Sequence, residues 1–141
     1  MFEHFVTAQN AVWPDVVAEL RAGRKASHWM WFVFPQLRGL GHSERAQRYG
    51  LAGLAEAQDY LAHPVLGPRL RECTGLVLAS EGRTAAELFG PVDALKFRSS
   101  MTLFKHAAPE ESRWRDALAR FYGGEEDPLT LRLLAGAASR A

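Results

Sequence analysis

The chain is predicted to be an all-α protein, a single domain of about seven or eight short helices packed at steep angles. Start and stop signals for helices recur along its 141 residues, whereas the alternating β-branched runs that mark strands are rare. This length suits one domain with a buried core of its own. We therefore expect residues 1–141 to form one unit, with residues 135–141 as a frayed tail.

The first two helices are expected on either side of Pro14. Apolar residues recur at helical spacing over residues 2–12, and Pro14 can occupy the first position of a second helix. Gly23 is a natural end for that second helix. The pattern thus predicts a break in the helix before Pro14.

An aromatic segment follows at residues 28–36, where two tryptophans and two phenylalanines lie between His28 and Gln36. The whole chain has only four tryptophans, so this segment is expected at the centre of the fold. Ser27 could cap a turn, but Pro35 disfavours α geometry at Phe34. A short helix and a short strand both remain open.

The remaining elements are marked by caps and by glycine or proline. Residues 39–41 form a loop, Ser43 is an expected N-cap, and Thr84 with Glu87 has the form of a capping box. Helices are predicted over residues 51–62, from residue 68 to about residue 80, over residues 84–90, 91–105 and 109–122, and after a cap at Asp127.

Composition argues against several classes of function. The 17 basic and 16 acidic residues nearly cancel, so nucleic acid is not an expected partner. No apolar run approaches the roughly 20 residues that span a membrane, and no membrane association is expected. The lone Cys73 and the absence of signal-peptide features predict a cytoplasmic protein. No zinc spacing, phosphate loop or dinucleotide loop is present, so neither a metal nor a cofactor is expected.

A polar stripe on the helix predicted over residues 91–105 is the first candidate site. At about 100° per residue, Asp93, Lys96 and Ser100 fall in one narrow sector within an apolar surface. The expected solvent face lies opposite, at Ala94, Arg98 and Lys105. Because buried charges must be paired, the stripe is either a structural network or the floor of a ligand site.

A second candidate lies on the helix predicted from residue 51, where Glu56, Tyr60 and His63 share a face at spacings of i, i+4 and i+7. An acid, a phenol and an imidazole could act together there. Alternatively, His63 stabilises the helix C-terminus and Glu56 is simply solvated.

The aromatic segment supplies a third candidate. Trp29 or Trp31 could stack on a flat ring, with His28 and Gln36 as the polar groups of a pocket. Lys25 could bind an anion if the turn that carries it folds toward the same cleft. The alternatives are a packed aromatic core and a solvated loop lysine.

These residues also carry a family resemblance. The chain resembles the domain-of-unknown-function 1810 family, small bacterial proteins sometimes labelled calpastatin, over about residues 2–122. The matching stretches are residues 5–9, residues 25–41, residues 56–67 and residues 89–104, with Arg98 as a departure where an apolar residue is expected. The resemblance implies a mainly α-helical fold and brings no established activity. The calpastatin label conflicts with the chain, because calpastatin is long and disordered.

Two functional hypotheses follow. In the first, the chain binds or hydrolyses a small anionic compound with a flat ring, such as a nucleotide or an ADP-ribose derivative. Asp93 or Glu56 would be the general acid or base and His28 would orient the substrate. The expected ligand-binding residues are Lys25, Trp29, Trp31, Gln36, Lys96 and Ser100.

Hydrolysis of an N-glycosidic bond is the enzyme chemistry that this first hypothesis favours, by analogy with a similar-sized helical family of N-glycosidases. The second hypothesis is a non-catalytic interaction module, whose polar stripes serve only the fold and whose working surface is an exposed apolar groove.

Overall fold

The computed structural model describes residues 1–140, and the side chains of residues 1–136. Within this part of the chain the regular structure is helical, and a single isolated backbone pairing joins Leu37 to Leu51. The all-α prediction is confirmed. The helices are α1 (Glu3–Ala22), α2 (Met30–Val33), α3 (Glu44–Tyr49), α4 (Leu54–Ala62), α5 (Leu66–Leu78), α6 (Ala85–Phe89), α7 (Pro91–Ala107), α8 (Ser112–Tyr122) and α9 (Pro128–Arg140), with a 3-10 turn at Arg38–Leu40.

The predicted break before Pro14 is wrong, because α1 runs through it as one 20-residue helix. Proline removes one helical hydrogen bond, which the carbonyl of Asn10 would have accepted. Pro14 and Asn10 both lie on the exposed side of α1, where water can satisfy that carbonyl. A single buried face continues on both sides of the proline, formed by Phe5, Gln9, Val16 and Leu20.

The aromatic segment resolves as a short helix followed by an extended residue. Phe34 leaves the helix at φ −122° and ψ 74°, as expected for a residue before proline. Ser27 does not cap α2, since its hydroxyl donates to Glu19 instead. The segment does lie in the core, where its buried side chains are Trp29, Met30, Phe32, Val33 and Phe34.

The predicted caps are found where the sequence indicates them. Ser43 accepts the amide of the residue three positions on, and Thr84 and Glu87 form the reciprocal hydrogen bonds of a capping box. Asp127 accepts the amide of Thr130 at the start of α9. The helices predicted to begin at residues 51, 68 and 109 begin instead at Leu54, Leu66 and Ser112.

Helix α7 is the central element, since it packs against α4, α6, α8 and α9. Phe97, Met101 and Phe104 from α7 are fully buried. The predicted solvent face is wrong at two positions. Ala94 is buried beneath Tyr122, whose hydroxyl donates to the Ala94 carbonyl, and Arg98 pairs with Asp127.

Among the described residues, no helix is both long enough and apolar enough to cross a bilayer. The prediction of a frayed tail concerns residues 135–141. Ala141 and the side chains of residues 137–140 lie outside the described part of the chain, and this prediction stays a prediction.

Two glycines of α5 should respond oppositely to alanine. A Cβ at Gly67 would lie 2.1 Å from the Leu61 carbonyl oxygen, whereas a Cβ at Gly75 would meet no atom within 4 Å. Gly67→Ala should therefore lower the free energy of unfolding by about 1–3 kcal/mol or more. Gly75→Ala should raise it by about 0.5–1 kcal/mol. Urea denaturation of both variants checks the pair, and equal effects would contradict the close approach.

Candidate functional site

The Glu19 carboxylate organises the turn between α1 and α2. Its Oε1 accepts the amides of Ala26 and Ser27 at 2.7 and 2.9 Å, and the Trp29 indole N–H at 2.9 Å. Its Oε2 accepts the Ser27 hydroxyl at 2.6 Å. One side chain of α1 thus holds the turn and the first tryptophan of the aromatic segment in place.

The electrostatics of Glu19 reflect these donors. Partial burial of the carboxylate acts to raise its pKa, but the hydrogen bonds from Ser27, Ala26 and Trp29 outweigh that effect and lower the pKa to about 2. The folded protein therefore holds Glu19 ionised well below its ordinary pKa of 4.5.

The turn delivers Lys25 to α7. The Lys25 Nζ lies 2.8 Å from Asp93 Oδ2 and donates to the Ser27 carbonyl at 2.5 Å. The second carboxylate oxygen of Asp93 lies 3.3 Å from the Lys96 Nζ. Lys25 is only 7% exposed and Lys96 is 22% exposed. Asp93 therefore joins two lysines, of which the nearer is nearly sealed and the other borders solvent.

Trp31 stands at the solvent side of this cluster. The Lys96 Nζ lies 4.2 Å from the centre of the Trp31 ring, and the Arg45 guanidinium carbon lies 5.0 Å from it. Both distances permit cation–π attraction. Neither Arg45 nor Glu19 was predicted as a site residue. Each contacts a tryptophan ten or more positions away in the sequence, and helical periodicity gives no information on such contacts.

A groove of about 380 Å³ opens beside Trp31, between α7, the start of α9 and the segment before α3. This volume lies within the range of small-molecule sites. Three predicted ligand-binding residues line it, namely Trp31, Gln36 and Lys96. The same three residues border a second space of about 10 Å³ that Arg45 also lines, which has room for about one water molecule.

Other predicted site residues lie away from this groove. Trp29 is fully buried with its N–H bonded to Glu19, so it offers no face to a ligand. Ser100 is also fully buried, and its hydroxyl has no hydrogen-bond partner among the described residues. His28 is exposed and Glu56 is half-buried on α4, and neither lines the groove.

The proposed partnership of Glu56, Tyr60 and His63 does not form. The Tyr60 hydroxyl is buried and bonded to the Phe32 carbonyl and Gln9, and burial raises its pKa well above the usual range. The His63 Nδ1 accepts the amides at the start of α5. Both side chains therefore serve the fold.

The fold and the groove together define an all-α protein whose described part contains a groove bordered by Trp31 and Lys96. Residues 1–134 match the family model described as a protein of unknown function, DUF1810, and the chain belongs to this family. It is similar to the crystal structure of the conserved hypothetical protein Rv1873 from Mycobacterium tuberculosis, at 59% identity and a TM-score of 0.93 over 94% of this chain and 95% of that one. No protein with a curated description matches significantly.

The Glu19 pKa predicts an acid-dependent loss of stability. Because the folded pKa lies near 2 and the ordinary value is 4.5, the contribution is complete above about pH 4.5 and is lost as the pH falls toward 2. Glu19→Gln should lower the free energy of unfolding by about 2 kcal/mol at neutral pH. It should also flatten the decline in stability between these pH values.

Chemical denaturation across that pH range measures both effects. Asp15→Asn, on an exposed position of the same helix, is the matched control and should retain the decline of the unmodified chain. If Glu19→Gln lost stability at low pH as steeply as the unmodified chain, Glu19 would not be the source of the decline.

The two lysines at Asp93 should differ in structural importance. Lys25→Ala removes the nearer, nearly buried ammonium and should lower the free energy of unfolding by about 2–3 kcal/mol. Lys96→Ala removes the longer, more solvated contact and should cost about 1 kcal/mol or less. Thermal denaturation of both variants measures the difference, and equal losses would show that the two ion pairs are equivalent.

Proposed function

We propose that the chain binds a small anionic compound carrying a flat ring in the groove beside Trp31. The observation that carries the proposal is the half-buried Trp31 indole on the groove wall, which has Lys96 beside it in the groove and Arg45 beside it in the adjoining small space. A few convergent polar groups beside aromatic surface are the usual composition of a small-molecule site.

The charge balance favours an anion. Lys25, Lys96 and Arg45 bring three positive charges near Trp31 and Trp29, while Asp93 and Glu19 bring two negative charges. Asp127 on the groove wall is paired with Arg98, so a net charge of one positive unit remains. Lys25 forms the shorter ion pair with Asp93, at 2.8 Å against 3.3 Å for Lys96. The Lys96 ammonium therefore keeps N–H groups that can donate hydrogen bonds to a bound anion. Charge-assisted hydrogen bonds of this kind are among the stronger polar contacts in proteins.

The arrangement favours binding over N-glycosidic hydrolysis. Each oxygen of Asp93 already contacts an ammonium group. Asp127, the carboxylate that lines the groove, is bonded to Arg98 and Thr130. The other predicted catalytic groups, Glu56 and His28, lie outside the groove. No unengaged carboxylate among the groove's described lining residues is therefore placed to act as general acid or base.

Calorimetric titration tests the proposal with matched pairs of probes. AMP and benzoate each join a ring to an anion, and adenosine and benzyl alcohol are their neutral counterparts. At least one anionic probe should bind, and its neutral counterpart should bind about tenfold more weakly or worse. Lys96→Met and Arg45→Gln should each weaken the anionic probe by about tenfold.

Control variants lie on the same two helices. Lys105→Met changes an α7 lysine that pairs with Glu126, and Arg48→Gln changes an α3 arginine near Tyr49. Both controls should bind the probe as the unmodified chain does. Binding that is indifferent to charge, or that survives Lys96→Met in full, would overturn the proposal.

A further inference from the structure

Three exposed apolar side chains border the groove near Lys96, and we call them the apolar lip. Of the five large apolar side chains that are exposed in the described part of the chain, three line this groove. They are Val92, Leu95 and Leu129, at 66%, 60% and 44% exposure. Exposed apolar side chains seldom cluster on soluble proteins unless the cluster binds something. The grouping of these three residues therefore favours a binding surface.

The lip and the anion-binding groups are adjacent. Val92 lies three residues before Leu95 and four before Lys96, so it neighbours both on the surface of α7, and all three line the groove. Leu129 reaches the same groove from α9. A ligand whose anion meets Lys96 can therefore place its apolar part on these side chains.

The free surface of the Trp31 ring is limited by contrast. Lys96 and Arg45 already lie at the ring, 4.2 and 5.0 Å from its centre. A ligand ring that stacked on a face covered by either cation would have to displace that cation. The lip offers exposed apolar surface that a ligand can reach while both cations stay in place.

We infer that the ligand is an amphipathic acid, a compound with one anionic group and an apolar ring body, rather than a nucleotide. This inference rests on the proposed function and narrows its ligand class. A ribose or a second phosphate laid on Val92 and Leu95 would lose hydration without gaining partners. An apolar ring in the same position gains free energy by leaving water.

Calorimetric titration with 2-naphthoate, 2-naphthalenemethanol and AMP tests the inference. In the unmodified chain, 2-naphthoate should bind at least about tenfold more tightly than either other probe. The double variant Val92→Ser/Leu95→Ser should lose about tenfold in affinity for 2-naphthoate. Leu54→Ser, an exposed apolar position that does not line the groove, is the control and should change nothing.

The outcomes separate this inference from the proposed function. If AMP binds as tightly as 2-naphthoate, or if the double variant keeps full affinity while Lys96→Met loses it, the anion site stands and the amphipathic ligand is overturned. If no anionic probe binds, the proposed function fails and the inference fails with it. Circular dichroism of the double variant verifies that these surface changes leave the fold intact.

Discussion

The carboxylate of Glu19 closes the turn on which the candidate site depends. The amides of Ala26 and Ser27 and the indole N–H of Trp29 all donate to it. Without this acceptor, the Trp29 N–H would be a buried donor with no hydrogen-bond partner. An unpaired buried donor destabilises the folded state, whereas an exposed donor can bond to water. With it, the indole enters the core and Lys25 is directed toward α7. The ionised Glu19 carboxylate thus fixes the positions of residues 26–29, where the aromatic segment begins.

Helix α7 converts this ordered turn into a groove. Asp93 receives Lys25 on one oxygen and Lys96 on the other, so the turn and the groove share one carboxylate. Lys96 in turn lies at the Trp31 ring. The groove cation is therefore held by neighbours on both sides before any ligand arrives, and such preorganisation reduces the entropy lost on binding. The exposed residues Val92 and Leu95 of α7 line the same groove, so the Lys96 ammonium and apolar surface lie together there.

Much of the fold could be predicted from local signals, and the failures have a common cause. Caps at Ser43, at Thr84 with Glu87, and at Asp127 act through hydrogen bonds that span a few residues, and all three are present. Pro14 failed as a helix break because packing on both sides of it outweighs one lost hydrogen bond. The projection of α7 grouped Asp93 with Lys96 correctly. It failed at Ala94 and Arg98 because a projection does not show that Tyr122 and Asp127 return over them.

By itself, the sequence determined the all-α class, most helix boundaries to within a few residues, the burial of the aromatic segment and the family resemblance. These depend on periodicity and capping, which act over about four residues. The tertiary structure alone decided which polar groups meet. It joined Lys25 to Asp93 and Arg45 to Trp31, buried Ser100 and Trp29, and left His28 and Glu56 outside the groove. Such pairings depend on how helices cross in space, and no local pattern encodes that geometry.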